Sequence, residues 1–163
     1  MVAAEGTEGE KGTEMTLNAI TGAVIAAAIE VHKALGPGLL ESAYQECLER
    51  ELIERGHRVE RQRAFPVVYK GAAIKRRFQL DMVVDEKVLV EIKAVKHLLP
   101  VHEAQILSYL RLARLPLGLL INFHRPTLLA GLRRYRTSVP SSPSVPSTNP
   151  IKENRTCQRS KRN

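Results

Sequence analysis

The chain has only two cysteines, Cys47 and Cys157, too few and too far apart for a disulfide framework or a cysteine-based metal site. Cys47 falls in an apolar helical stripe and reads as a small core hydrophobe, while Cys157 sits in a polar stretch. No run of 18 apolar residues is present, so no membrane-spanning helix is expected. The acidic N-terminus lacks the basic start of a secretory leader, which makes a cytoplasmic setting the expectation. There is also no zinc-ligand set, glycine-rich phosphate loop, nucleophile elbow or internal repeat, and no separate DNA-reading motif such as a zinc finger. Any chemistry must therefore rest on carboxylates, amines and their neighbours.

What is present is an ordinary globular composition: 163 residues, 44% apolar and 26% charged, enough for one domain with its own core. The formal charge is +8. Residues 1–14 carry −3 and residues 137–163 carry +4, which leaves +7 on the stretch between them. A basic folded region suits a polyanionic partner, because each neutralised phosphate releases counterions. The plainer alternative is that the charge only keeps the protein in solution.

Residues 1–14 are rich in Gly and Glu without apolar periodicity, and residues 137–163 are rich in Ser, Pro, Asn, Lys and Arg. Both are expected to be disordered, leaving residues 15–136 as the domain. Leu17, Ile20, Val24, Ala27, Val31 and Leu35 keep helical spacing, and Gly36-Pro37-Gly38 ends that helix. A second helix is predicted from about Leu39 to Arg55, with Leu40, Tyr44, Cys47, Leu48 and Leu52 inward and Gly56 as its cap. The period then changes to that of strands, over residues 59–69, Ile74 to Val84 and Val88 to Ala94. Leu80, Met82 and Val84 are assigned to one face, and Val83 and Leu89 to the other, as in a sheet covered on both sides. A helix follows Pro100, then a buried strand from Leu117 to Phe123, then an edge strand or short helix over 128–135. The expected class is α/β, a mixed central sheet flanked by helices.

The second and third strands carry Asp81 and Glu91-Ile92-Lys93. Two carboxylates and an ammonium are the minimal equipment for metal-assisted phosphodiester cleavage: the carboxylates hold a hard cation, and the ammonium activates water or neutralises charge. Register decides whether they meet. A three-residue loop, Asp85-Glu86-Lys87, sets Asp81 opposite Glu91 with Cβ atoms about 5 Å apart and Lys93 on the same face. A two-residue loop would turn Glu91 away. An exposed Asp81–Lys93 ion pair is the alternative, opposed by the apolar Val83 and Leu89 on that face.

The flanking helices add Gln105 and Tyr109, four apart and on one face, where packing alone is the competing reading. His102 reads as a capping or solvated residue. Gly38, Glu41 and Tyr44 form G-x-x-E-x-x-Y, with Glu41 beside the apolar stripe. On spacing alone, Glu41 is best explained by the helix dipole.

Together these residues resemble the GxxExxY proteins, a branch of the PD-(D/E)xK nuclease superfamily. The resemblance runs from Ile29-Glu30-Val31-His32 through Leu35-Gly36-Pro37-Gly38-Leu39-Leu40-Glu41-Ser42-Ala43-Tyr44. It continues over Asp81, Val90-Glu91-Ile92-Lys93-Ala94, Pro100 to Gln105 and Gly118 to Phe123. It implies a restriction-endonuclease-like αβββαβ core, with Asp81, Glu91 and Glu41 as ligands of Mg²⁺ or Mn²⁺ and Lys93 as the catalytic lysine. Gln105 and Tyr109 are similar to the Q-x-x-x-Y element of RecB-like nucleases, and with Tyr44 they are auxiliary. Leu80 replaces the usual Pro before the first Asp, and Gln79 stands where relatives often carry Arg. The implied function is a metal-dependent nuclease acting on nucleic acid, DNA first, with a homodimer compatible with this size. A non-catalytic nucleic-acid-binding module on the same fold is the alternative, and a protein-interaction domain follows only if the basic charge is scattered.

Overall fold

A computed structural model describes residues 8–137 of the chain. The order is α1 (Glu8–Leu35), α2 (Glu41–Glu54), β1 (Val59–Tyr69), β2 (Ala72–Val84), β3 (Val88–Lys93), α3 (Pro100–Ala113), β4 (Leu117–Asn122), a 3-10 turn (Leu128–Gly131) and β5 (Leu132–Arg136). The five strands lie in the order β1-β2-β3-β4-β5. All neighbours are antiparallel except β3 and β4, which run parallel across the α3 crossover. This is the expected mixed α/β core, and the closing segment supplies both a short helical turn and an edge strand.

The helix period of α1 buries Leu17, Ile20, Val24, Ala27, Ala28 and Val31 along one face. Thr21 lies within that face, and its hydroxyl is satisfied by donating to the Leu17 carbonyl. Leu35, expected inward, is 38% exposed because the helix ends there. Residues 8–14, expected to be disordered, form the first turns of α1. The rest of the expected acidic segment, and residues 138–163 of the basic tail with Cys157, lie outside the described residues.

In α2, Tyr44, Leu48 and Leu52 are fully buried, each contributing roughly 1.5–3 kcal/mol relative to an exposed side chain. Leu40 is 78% exposed, contrary to the inward position expected of it. It precedes the first helical residue in an extended conformation, so the helical period does not yet apply to it. Gly56 takes φ 86 and closes the helix as expected: its N–H donates to the Ile53 carbonyl and that of His57 to Leu52.

α1 and α2 cover one face of the sheet through Met82, Val84, Val88, Val90, Ile92 and the inward side of β4. α3 covers the other through Ile106 and Leu110, packed with Val83, Leu89 and Leu120. Gly118 permits this contact, since a methyl group there would press on Ile106 and Leu110 at 3.0 and 3.1 Å. Among the described residues no helix is long and apolar enough to cross a membrane.

Candidate active site

Asp81 sits where two ladders give way. In β1–β2 the pairs Arg61↔Met82 and Arg63↔Leu80 form, and the register passes over Gln62 and Asp81 between them. Gln62 takes φ 50, a left-handed conformation uncommon outside glycine. On the other side the β2–β3 ladder stops at Met82↔Val90. The Asp81 carboxylate replaces the missing rung, Oδ2 accepting the Ile92 N–H at 2.9 Å. The same break turns Leu80 away from Met82 and Val84, so that it packs with Phe65, Val83 and Leu89 on the α3 side, correcting its expected face.

The β2–β3 loop has the three residues that the site requires, with Val84 opposite Val88. It contains no glycine, and its left-handed positions fall on Asp85 (φ 50) and Glu86 (φ 59). The Asp85 carboxylate holds that geometry by accepting from His57 Nδ1 at 2.7 Å and from the Arg58 N–H at 2.9 Å.

The β2–β3 pairing ends one step before Asp81 and Glu91, which lie close enough beyond it for the Asp81 charge to act on Glu91. Lys93, two residues on, donates from Nζ to Glu91 Oε1 at 2.7 Å. Glu91 is 1% exposed, and its second oxygen, Oε2, is buried without a hydrogen-bond partner. Glu41, the first residue of α2, accepts the Ala94 N–H at 3.1 Å, which brings it to the end of β3. Its place in the first turn also complements the helix dipole, so the two readings of Glu41 are compatible. An open groove of about 440 Å³, lined by Leu39, Leu40, Glu41, Ser42 and Ala94, lies beside it.

Three carboxylates around one lysine perturb each other. Burial, then the charge of Asp81, pushes the Glu91 acid from 4.5 up to about 7, against the pull of Lys93. Burial also raises Asp81, opposed by the Ile92 N–H and Lys93. Burial acts to lower Lys93, but Glu91, Asp81 and Glu41 outweigh it and hold the ammonium above its ordinary range. Lys93 is therefore a fixed cation, and Glu91 takes up or releases a proton near neutral pH.

Among the described residues no three His, Cys, Asp or Glu side chains group closely enough to hold a metal ion. The expected set of Asp81, Glu91 and Glu41 is thus not assembled as a three-ligand cage, because Glu41 is drawn onto the Ala94 amide. Asp81 and Glu91 nevertheless fit a hard divalent cation. They are oxygen donors, one oxygen is orphaned in a buried site, and Mg²⁺ commonly takes one or two carboxylates and fills its other positions with water and phosphate oxygens.

The auxiliary residues divide. Tyr44 does not reach the carboxylates. Its ring stacks on Phe123 with centroids 4.4 Å apart, and its hydroxyl donates to the Gly36 carbonyl at 2.7 Å and accepts from the Leu39 N–H at 3.1 Å. It thereby fixes the loop that delivers Glu41. Gln105 donates from Nε2 to the Tyr109 hydroxyl at 3.0 Å, so this pair shares a face as expected but is bonded to itself rather than to the acidic cluster. His102 is a cap, its Nδ1 accepting the Leu99 N–H.

Two supporting residues have no role in the sequence reading. Gln45, almost fully buried on α2, lies near Asp81 and acts to lower its acid. Its signal is its position one turn after Glu41. Asn122, 1% exposed, donates to the Val95 carbonyl at 2.7 Å and accepts the Val95 N–H at 3.1 Å, pinning the chain just beyond Lys93. A buried polar residue ending an apolar strand is the available hint.

A family model of the PD-(D/E)XK nuclease superfamily matches residues 18–135, a stretch that contains every residue of this site. No curated protein and no solved structure is significantly similar to the chain. With that match over most of its length, and a mixed sheet covered by helices on both faces, the chain belongs to the PD-(D/E)XK nuclease superfamily.

Proposed function

We propose that the chain is a Mg²⁺- or Mn²⁺-dependent nuclease that hydrolyses phosphodiester bonds of nucleic acid, with DNA the first substrate to test. The observation that carries this reading is the buried Glu91 beside half-buried Asp81 and Lys93, with one Glu91 oxygen left without a partner. Burying that much charge is costly unless a ligand offsets it. Asp81 and Glu91 would hold the cation, which would supply Lewis-acid charge at a phosphate oxygen. Lys93 is held as an ammonium and serves as a fixed positive charge for the phosphoryl oxygens as negative charge develops on them. Glu41 commits one oxygen to the Ala94 amide, and the other is available to a water at the same mouth. The Ile92 amide holds the Asp81 carboxylate in place, and Gln45 beside it favours the ionised form. Within the superfamily, Gly38, Glu41 and Tyr44 favour the GxxExxY branch.

The test is cleavage of single-stranded, duplex and branched DNA and of RNA, each with Mg²⁺, with Mn²⁺ and with a chelator. Cation-dependent cleavage of at least one substrate is expected. Binding without cleavage on every substrate would favour a non-catalytic nucleic-acid-binding module.

A further inference from the structure

The hairpin that carries Asp81 is longer than the sheet uses. β1 and β2 pair from Val59↔Val84 out to Tyr69↔Ala72, whereas β3 pairs with β2 only as far as Met82. Among the described residues, 64–79 thus form a two-stranded ribbon with no third strand paired to it, and the outer edge of β1 is the edge of the sheet. A ribbon of this kind is marginally stable in water and leaves apolar groups in solvent. Val68 is 61% exposed and Tyr69 64%, with Ile74 and Phe78 also exposed. The root is anchored through buried Phe65 and through Phe78, whose ring lies 5.6 Å from that of Tyr109 on α3.

Its charge is one-sided. No Asp or Glu occurs between residues 61 and 80, while the ribbon carries Lys70, Lys75, Arg76 and Arg77. Arg77 is exposed and forms no ion pair among the described residues, and Lys70 lies 5.5 Å from the Tyr69 ring centroid. The nearest root cations, by contrast, are committed: Arg61 to Glu49 and Arg63 to Glu60. The same strand, β2, runs from the basic stretch 75–77 directly to Asp81.

We infer that the β1–β2 ribbon is a nucleic-acid clamp, which holds backbone phosphates leading away from the scissile one through its basic stretch, with Arg77 nearest the site and Lys70 at the tip, without reading sequence. A two-stranded ribbon has the dimensions of the major groove, and its cations contact the backbone, where positioning rather than sequence is determined. Its exposed Tyr69 also offers a stacking face to an unpaired base. The phosphodiester backbone is the shared ligand in either case. The inference rests on the nuclease reading of the Asp81 site, and the two can fail separately.

The test is fluorescence anisotropy of labelled single-stranded and duplex oligonucleotides across a KCl series, in chelator so that binding is read without cleavage. The variant K70A/K75A/R76A/R77A is compared with the full wild-type chain and with R133A/R134A, which removes two exposed cations from β5. The ribbon variant is expected to bind at least about tenfold more weakly and to flatten the log K against log salt slope by about 3 on duplex. Arg77→Ala alone, the substitution least able to disturb folding, is expected to flatten it by about 1. The strand type losing more affinity identifies which form the clamp prefers. Unchanged affinity and slope in both ribbon variants would overturn the clamp, as would an equal loss in the β5 control. A sedimentation shift from dimer to monomer at unchanged slope would assign the ribbon to a second copy of the chain instead. If the wild type binds through the ribbon yet cleaves nothing with Mg²⁺ or Mn²⁺, the clamp stands and the nuclease reading falls. Cleavage with unchanged KM in the ribbon variant gives the converse.

Discussion

Replacing Glu91 with glutamine is expected to stabilise the cation-free protein at mildly alkaline pH and to flatten its dependence on pH. Burial and the nearby Asp81 raise the Glu91 acid from 4.5 to about 7. The unfolded chain releases this proton first, so over that window the folded state binds more protons and stability falls as pH rises. The full traverse corresponds to on the order of 3 kcal/mol, a large part of the stability of a domain this size. Asp81 is raised as well and adds a loss of the same sign. Lys93 does not cancel it, because its raised pKa makes a stabilising contribution that is lost only above the ordinary lysine range. The substituted side chain would keep an oxygen to accept the Lys93 hydrogen bond, so Glu91→Gln removes charge with little change in contacts. Urea unfolding in chelator, from about pH 5 to about pH 8, reads the effect directly. Wild type should lose about 2–3 kcal/mol across the series and Glu91→Gln clearly less. Parallel profiles for the two proteins would refute the electrostatic account of the site.

Mg²⁺ should oppose this loss, since a cation favours the ionised carboxylates; its effect on Tm should grow with pH over the same window and be much reduced in Asp81→Asn. Gln45→Ala removes a polar side chain that acts to lower Asp81, so the acidic limb of the cleavage rate profile should move to higher pH with KM little changed. Tyr44→Phe should cost about 1–2 kcal/mol in urea unfolding by freeing the Gly36 carbonyl and the Leu39 amide. It should also reduce kcat, because the loop it fixes delivers Glu41. Gly131→Ala sets a methyl group against the Asn122 carbonyl oxygen, and a drop in Tm of several degrees is expected from calorimetry.

The three-residue hairpin loop is legible in the sequence, and Lys93 meets Glu91 as strand parity predicts for residues two apart on one strand. Helix spacing likewise reveals the buried faces of α1 and α2, and the Gln105–Tyr109 pair. What escapes depends on backbone events without a residue signature. Gln62 takes a left-handed conformation that Gly or Asn would have advertised, and this break moves Leu80 across the sheet and frees Asp81 to bond the Ile92 amide. Leu40 is misplaced by its spacing because one residue at a helix start separates an inward side chain from an exposed one. Tyr44 groups with the site by its distance from Glu41, whereas its hydroxyl serves a loop five to eight residues upstream. Glu41 itself needs the tertiary contact with Ala94 before a reach toward the sheet can be told from dipole complementation.

The central claim is that Asp81 and Lys93 serve phosphodiester hydrolysis. Single-turnover cleavage by wild type, Asp81→Ala and Lys93→Ala, side by side with Mn²⁺ on whichever substrate the wild type cuts, tests it most directly. The account predicts that both variants remain folded and lose at least about 100-fold in rate. Cation-dependent cleavage that survives both substitutions would contradict it.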